Sequence, residues 1–187
     1  MYTAAELIIR DATDADREAI ASVLLEAYSE YSAVLPEAYW TEYRDSILDS
    51  VHGDTPAARI VAELDEVIVG SVLLFTSSAA AYGRPEMGIV TPIIRLLAVS
   101  PGARGRGAAL LLIREAAARS LALGASSLNL HTSDMMASAI RLYERLGFQR
   151  AYETDIHNGS TLVKGYRLEL SVTGGPLIVA ETGDPAN

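Results

Sequence analysis

The chain has 187 residues, 50% of them hydrophobic, 21% charged and none a cysteine. It is long enough for one domain with a sizeable core and too apolar for a disordered chain, and it cannot form disulfides, thiolate metal sites or a cysteine nucleophile. A formal net charge of -9 and a pI of about 4.8 argue against a nucleic-acid partner, whose binders carry a basic face, and favour cationic partners such as amines.

The N-terminal MYTAAELIIRDATDADREAI lacks the basic start and apolar core of a signal peptide. The apolar runs VIVGSVLLF and AALLLI are too short to span a bilayer. A soluble cytoplasmic protein without membrane contact is expected. Glu6 to Thr13 reads as a first strand. Thr13 followed by Asp16 has the form of a capping box. Ile20, Val23, Leu24, Ala27, Tyr28 and Tyr31 then recur at helical spacing, one buried stripe. Pro36 opens a second helix that ends near Gly53.

Ala58 to Leu64 and Val67 to Thr76 predict an antiparallel hairpin joined at Asp65-Glu66. Ser77 to Gly88 reads as a loop of small residues. Pro92 to Val99 is the next strand, and a glycine-rich joint leads to a helix ending at Gly124. Ser127 to Thr132 is a strand with Leu128 and Leu130 on one face and Asn129 and His131 on the other. A helix from Met135 to Leu146 stops at Gly147, and FQRAYETDI and TLVKGYRLELS form an antiparallel pair around Asn158-Gly159. The order β-α-α-β-β-β-α-β-α-β-β predicts one α/β domain over residues 1–173, a mixed sheet with helices on both faces. Residues 174–187 read as a tail whose PLIVAE is an added edge strand or an oligomer contact, which leaves a homodimer open.

The joint after Val99 concentrates the chemistry. Within Gly102–Gly107 stand three glycines and two arginines, at a strand-to-helix turn of an acidic chain. Bare backbone N–H groups make an anion nest, and a helix N-terminus adds partial positive charge. Arg104 and Arg106 add charge-assisted donors. Phosphate or diphosphate is the ligand this suits; an ordinary turn is the plain alternative. A nucleoside-triphosphate loop would need lysine and Ser/Thr where Ala108 and Ala109 stand. A dinucleotide fingerprint would need a third glycine at Leu110.

Arg104-Gly-Arg-Gly107-Ala-Ala109 resembles the Arg/Gln-x-x-Gly-x-Gly/Ala signature of the GNAT superfamily of N-acetyltransferases. Ala139-Ile-Arg-Leu-Tyr143-Glu-Arg-Leu-Gly147-Phe148 resembles that family's second motif, one helix and one strand further on. The element order fits from Glu6 to about Ser171. The resemblance implies that Arg104, Gly105, Arg106, Gly107, Ala108 and Ala109 hold the diphosphate of acetyl-CoA, mostly through backbone. It implies that main-chain groups of Leu97 and Val99 pair with the pantetheine arm beside a bulge in the strand. An N–H there would polarise the thioester carbonyl. Tyr143 takes the place of the family's general acid, with core packing in the stripe Met136, Ala139, Ile140, Tyr143 and Gly147 as the plainer role.

The implied reaction is acetyl transfer from acetyl-CoA to a primary amine, small or on a peptide or protein, without a metal. The resemblance fails at the base: Ile93 stands where many relatives carry glutamate. Water, Glu86 or His131 is then the expected proton acceptor. Met136 replaces a common cofactor-binding asparagine. Tyr28, Tyr31, Tyr39, Trp40 and Tyr43 fall in the region that shapes the acceptor site, as cation–π partners or as helix packing. A different reading of the same residues is an acyl-CoA-binding sensor that kept the nest and lost efficient chemistry.

Overall fold

A computed structural model describes residues 6–171. The expected tail strand lies outside the described residues. The chain is a mixed α/β protein whose strands form an eight-stranded, mostly antiparallel sheet. Its contacts group into two units: residues up to Thr76 with Ile94–Ala116, and Ser77–Ile93 with residues from Ala117 onward. Among the described residues no helix is long and apolar enough to cross a membrane.

In the first unit β1 (Leu7–Asp11) pairs antiparallel with β2 (Ala58–Leu64), from Leu7↔Leu64 to Asp11↔Ile60. β2 turns directly into β3 (Val67–Phe75) through Asp65 and Glu66, both left-handed at φ 51° and 64°. Paired positive φ values are the hairpin geometry that matches strand twist. α1 (Arg17–Tyr28) is entered through a short 3₁₀ turn at Asp14–Asp16. There the Asp16 carboxylate accepts from the Thr13 N–H at 2.7 Å, as the capping box predicts. Arg10 also donates to Asp16 and to Glu63, and its hydrogen bonds hold the Asp16 carboxyl well below the usual range. α2 (Glu37–His52) follows Pro36, and Ile20, Leu24, Ile47 and Val51 of the two helices are fully buried. β4 (Ile93–Val99) runs on from Ile94 in this unit into the start of α4 (Ala108–Ala122). A Cβ on Gly70 of β3 would lie 3.2 Å from both the Ala98 carbonyl and Leu112 Cδ1, so β3, β4 and α4 meet closely enough to favour glycine there.

In the second unit β4 begins at Ile93, parallel to β5 (Ser127–Thr132) at Asn129. β8 (Thr161–Glu169) runs antiparallel to β5 from Ser127↔Glu169 to Thr132↔Lys164. The hairpin at Asn158-Gly159 forms as expected, with Gly159 at φ 60°. The strand before it does not run unbroken. It splits into β6 (Gln149–Arg150) and β7 (Ile156–Asn158), both on β8, around a 3₁₀ turn at Tyr152–Thr154. The turn packs onto Gly165, where any Cβ would overlap the Thr154 hydroxyl. Arg150 secures it by donating to both Asp155 oxygens at 2.8 Å and to the Gly165 carbonyl at 2.6 Å. The small-residue loop contains a helix that periodicity did not predict, α3 (Ser78–Tyr82). Ser77 caps it by accepting from the Ala80 N–H, and left-handed Gly83 ends it. α5 (Ala137–Arg145) follows a 3₁₀ turn at Asp134–Met136 and buries Tyr143.

Candidate active site

The glycine joint lies wholly in the first unit. Leu96 of β4 has φ 53°, left-handed in mid-strand and disfavoured for a residue with a Cβ. It is 8% exposed, so core packing holds its side chain. One residue on, the Leu97 carbonyl accepts from the Tyr28 hydroxyl at 3.2 Å. The Ser100 N–H returns to the Val69 carbonyl at 2.8 Å, and a 3₁₀ turn at Pro101–Ala103 reverses the chain. Buried Ala103 anchors that turn.

Gly105 and Gly107 then adopt φ 78° and 86°, and a Cβ on either would meet nothing within 4 Å. Backbone handedness, not crowding, calls for glycine here. The Leu111 N–H closes the first helical bond onto the Gly107 carbonyl at 3.0 Å. The N–H groups of Ala108, Ala109 and Leu110 therefore have no acceptor inside the helix. Ala108 turns its methyl into the core while Ala109 is half-buried. Arg104 and Arg106 are exposed, and Arg104 forms an ion pair with Glu30. The joint thus offers exposed, left-handed backbone at the N-terminus of a 15-residue helix, a fit for the oxygens of a diphosphate.

The same unit gathers four of the aromatics into one cluster. Tyr28 packs on Tyr31 at 5.9 Å and edge-on to Tyr43 at 5.8 Å, and Trp40 meets Tyr43 at 6.4 Å. Burial pushes the Tyr43 phenol up to about 12, against the nearby Arg95 charge. Tyr39 is 63% exposed on the same helix. Arg95 lies over the Phe75 ring at 5.6 Å.

The remaining candidates lie in the second unit. Tyr143 is 7% exposed, with its ring 5.8 Å from Phe148. Met136, Ala139, Ile140 and Gly147 are half-buried along the same stripe. Met136 Sδ accepts from the Thr132 hydroxyl at 3.3 Å. Ile93 is fully buried and serves the core. Glu86 is exposed and accepts from Arg84 Nε at 2.9 Å, which holds its carboxyl below the usual range and weakens it as a base. His131 lies between the Tyr82 hydroxyl, 2.9 Å from Nδ1, and the Thr154 carbonyl, 2.8 Å from Nε2. A carbonyl only accepts, so Nε2 carries the proton and, in the neutral ring, Nδ1 accepts from Tyr82. That commits the lone pair a base would use. Asn129 is 1% exposed and fully engaged: it donates to Thr91 and Pro92 and accepts from Arg167. Sequence reasoning missed the Tyr28–Leu97 and Tyr82–His131 contacts, whose partners stand 69 and 49 positions apart.

The sequence model of the Acetyltransferase (GNAT) family matches residues 18–148. No curated protein matches the chain. Among solved structures, the chain is similar to the PaiA N-acetyltransferase of Thermoplasma acidophilum in complex with coenzyme A. They share 15% identity over 87% of this chain and 99% of that one, at a TM-score of 0.65. A GNAT-family acetyltransferase from Staphylococcus aureus Mu50 shares 14% identity over 89% and 100%, at 0.65. An agmatine N-acetyltransferase variant in its apo form shares 18% over 88% and 99%, at 0.61.

Proposed function

The chain belongs to the GNAT acetyltransferase family, and from that premise we propose that it moves the acetyl group of acetyl-CoA to a primary amine by direct attack, with Tyr143 as general acid and residues 1–173 as one catalytic domain. The observation that carries the reading is the joint itself. The chain runs from left-handed Leu96 in β4 to left-handed Gly105 and Gly107, whose faces are open, at the start of α4. In this reading the backbone of Arg104, Gly105, Arg106, Gly107, Ala108 and Ala109 holds the diphosphate. Main-chain groups of Leu97 and Val99 hold the pantetheine arm.

Bound acetyl-CoA would supply the acetyl group as a thioester. The amine lone pair forms the new C–N bond as the C–S bond breaks. The Tyr143 phenol gives its proton to the leaving thiolate, whose basicity a phenol matches. The amine's surplus proton passes to water, because Ile93, Glu86 and His131 are each poorly suited to take it. The net charge of -9 favours a cationic acceptor. Agmatine belongs in the acceptor panel because a protein of similar fold carries it in its name.

The test is a thermal-shift comparison of acetyl-CoA, CoA, ATP and NAD, followed by thiol release with a panel of amines. A ligand at about 100 times its dissociation constant adds about 2.7 kcal/mol, roughly 5–10 °C at this size. The expected result is a shift with acetyl-CoA and CoA alone, and thiol release that Tyr143→Phe lowers about 100-fold with CoA affinity unchanged. Ile93, buried where a glutamate base would stand, favours a second reading, an acyl-CoA sensor. Binding without thiol release for any amine selects it.

A further inference from the structure

A left-handed φ in mid-strand costs a non-glycine residue on the order of 1–3 kcal/mol, and it persists only where its surroundings over-determine it. Leu96 is such a residue. Its side chain is buried in the core, and the chain after it is tied down at Ser100. Between those points the Tyr28 hydroxyl grips the backbone, donating to the Leu97 carbonyl at 3.2 Å, across 69 positions.

Tyr28 is built to hold that grip. It is the last residue of α1, 7% exposed, with its ring packed on Tyr31 and edge-on to Tyr43. The hydroxyl is therefore a donor delivered by a rigid ring. A peptide unit is planar, so fixing the Leu97 carbonyl fixes the plane from Leu97 to Ala98 and restrains the N–H directions on either side of it.

We infer that Tyr28 is a positioning residue for acetyl transfer, whose hydroxyl holds β4 beside left-handed Leu96 in the shape that aims main-chain N–H groups at the thioester carbonyl. This differs from both sequence-based roles for Tyr28, a cation–π contact to the acceptor and helix packing. It rests on the acetyl-transfer reading above. Oxyanion donors act only over a narrow range of distance and angle, so a small rotation of this peptide costs more in rate than in affinity, to which the proposed diphosphate contacts at Arg104 to Ala109 also contribute.

The experiment needs no acceptor. Acetyl-CoA labelled with ¹³C at the thioester carbonyl is bound to the whole chain and to Tyr28→Phe, and the carbonyl stretch is read by isotope-edited infrared difference spectroscopy. The wild-type band is expected below that of free acetyl-CoA. In Tyr28→Phe it is expected to move at least halfway back, with the dissociation constant of acetyl-CoA within about twofold. Equal bands in two proteins that both bind acetyl-CoA overturn the inference alone. So does tighter binding with an unmoved band, which would mean that the hydroxyl competes with the pantetheine arm for Leu97. Failure of wild type to bind acetyl-CoA overturns the acetyl-transfer reading and this inference with it. Should the phenylalanine variant not fold, 3-fluorotyrosine at position 28 keeps the ring and makes the hydroxyl a stronger donor. An unmoved band in that protein likewise overturns the inference.

Discussion

Arg150 and Arg104 each meet a carboxylate, in opposite surroundings. The Arg150 and Asp155 side chains are 17% and 14% exposed, joined by two hydrogen bonds of 2.8 Å. The guanidinium also lies 4.3 Å from the Tyr152 ring centroid and 5.3 Å from that of Tyr166. Arg104 and Glu30 are 49% and 51% exposed. An ion pair removed from water is costly to break one-sidedly, whereas an exposed pair contributes little. Both terminal nitrogens of Arg150 donate to the protein's own groups, the Asp155 carboxylate and the Gly165 carbonyl. Around Arg104 the backbone turns left-handed and leaves N–H groups at a helix start without helical acceptors. One arginine holds a turn onto a strand; the other stands beside the start of a helix, whose first N–H groups have no helical acceptor.

The largest expected effect breaks the second region. Gly107→Glu puts a carboxylate where the diphosphate is proposed to sit. Like charges so placed cost several kcal/mol, at least about 100-fold in CoA affinity. The left-handed backbone costs any residue with a Cβ about 1–2 kcal/mol of stability. Gly107→Ala shares that strain without the charge and isolates the electrostatic part by isothermal titration. CoA bound by Gly107→Glu with wild-type affinity would move the cofactor elsewhere.

Next comes the first region. Arg150→Ala leaves Asp155 half-satisfied and frees the 3₁₀ turn, a loss of about 3 kcal/mol and roughly 6–12 °C in Tm. Its signature is in pH. The hydrogen bonds from Arg150 hold the Asp155 carboxyl below its usual range, aided by the Gly165 N–H. A depressed carboxyl contributes stability above its unfolded value, about 3.9, that is lost as pH falls through the lower folded value. Acidification below about pH 4 should therefore narrow the gap between wild type and Arg150→Ala. A constant gap down to pH 2 would mean that the stacking on Tyr152 and Tyr166 stabilises the turn, and the charges do not.

The same contrast explains what the sequence made legible. The glycine joint was readable because its meaning is local: Gly105 and Gly107 need only their own φ and the helix that follows. The helix stripes and hairpins were readable from period and turn residues. The break between β6 and β7 was not, because Gly165, which receives the turn and whose carbonyl accepts from Arg150, lies on a strand further along the chain. Nor was the commitment of His131 to Tyr82, or the left-handed Leu96, which nothing adjacent to it announces. α3 was readable and overlooked: Ser77 and Gly83 are an N-cap and a C-cap around a run of alanines, too short for periodicity to register.

The smallest effect is the sharpest discriminator. Arg104→Ala removes an exposed cation whose pair with Glu30 contributes roughly 0–1 kcal/mol, so Tm should stay within about 2 °C of wild type. CoA affinity should fall about three- to tenfold at low salt, because the diphosphate loses a charge-assisted donor that solvent already weakens. The loss should shrink toward about 1 M salt, where the Debye length is about 3 Å. Glu30→Gln should act in the opposite sense, since it releases Arg104 from its carboxylate and removes a negative charge beside the nest. Titrating CoA into both variants at two salt concentrations separates two accounts of the loop. If the backbone N–H groups do most of the holding, neither change exceeds tenfold and both fade with salt. A loss for Arg104→Ala that persists at high salt would make the side chain a direct, desolvated ligand of the diphosphate, and the exposed half of the comparison would then hold for the unliganded protein alone.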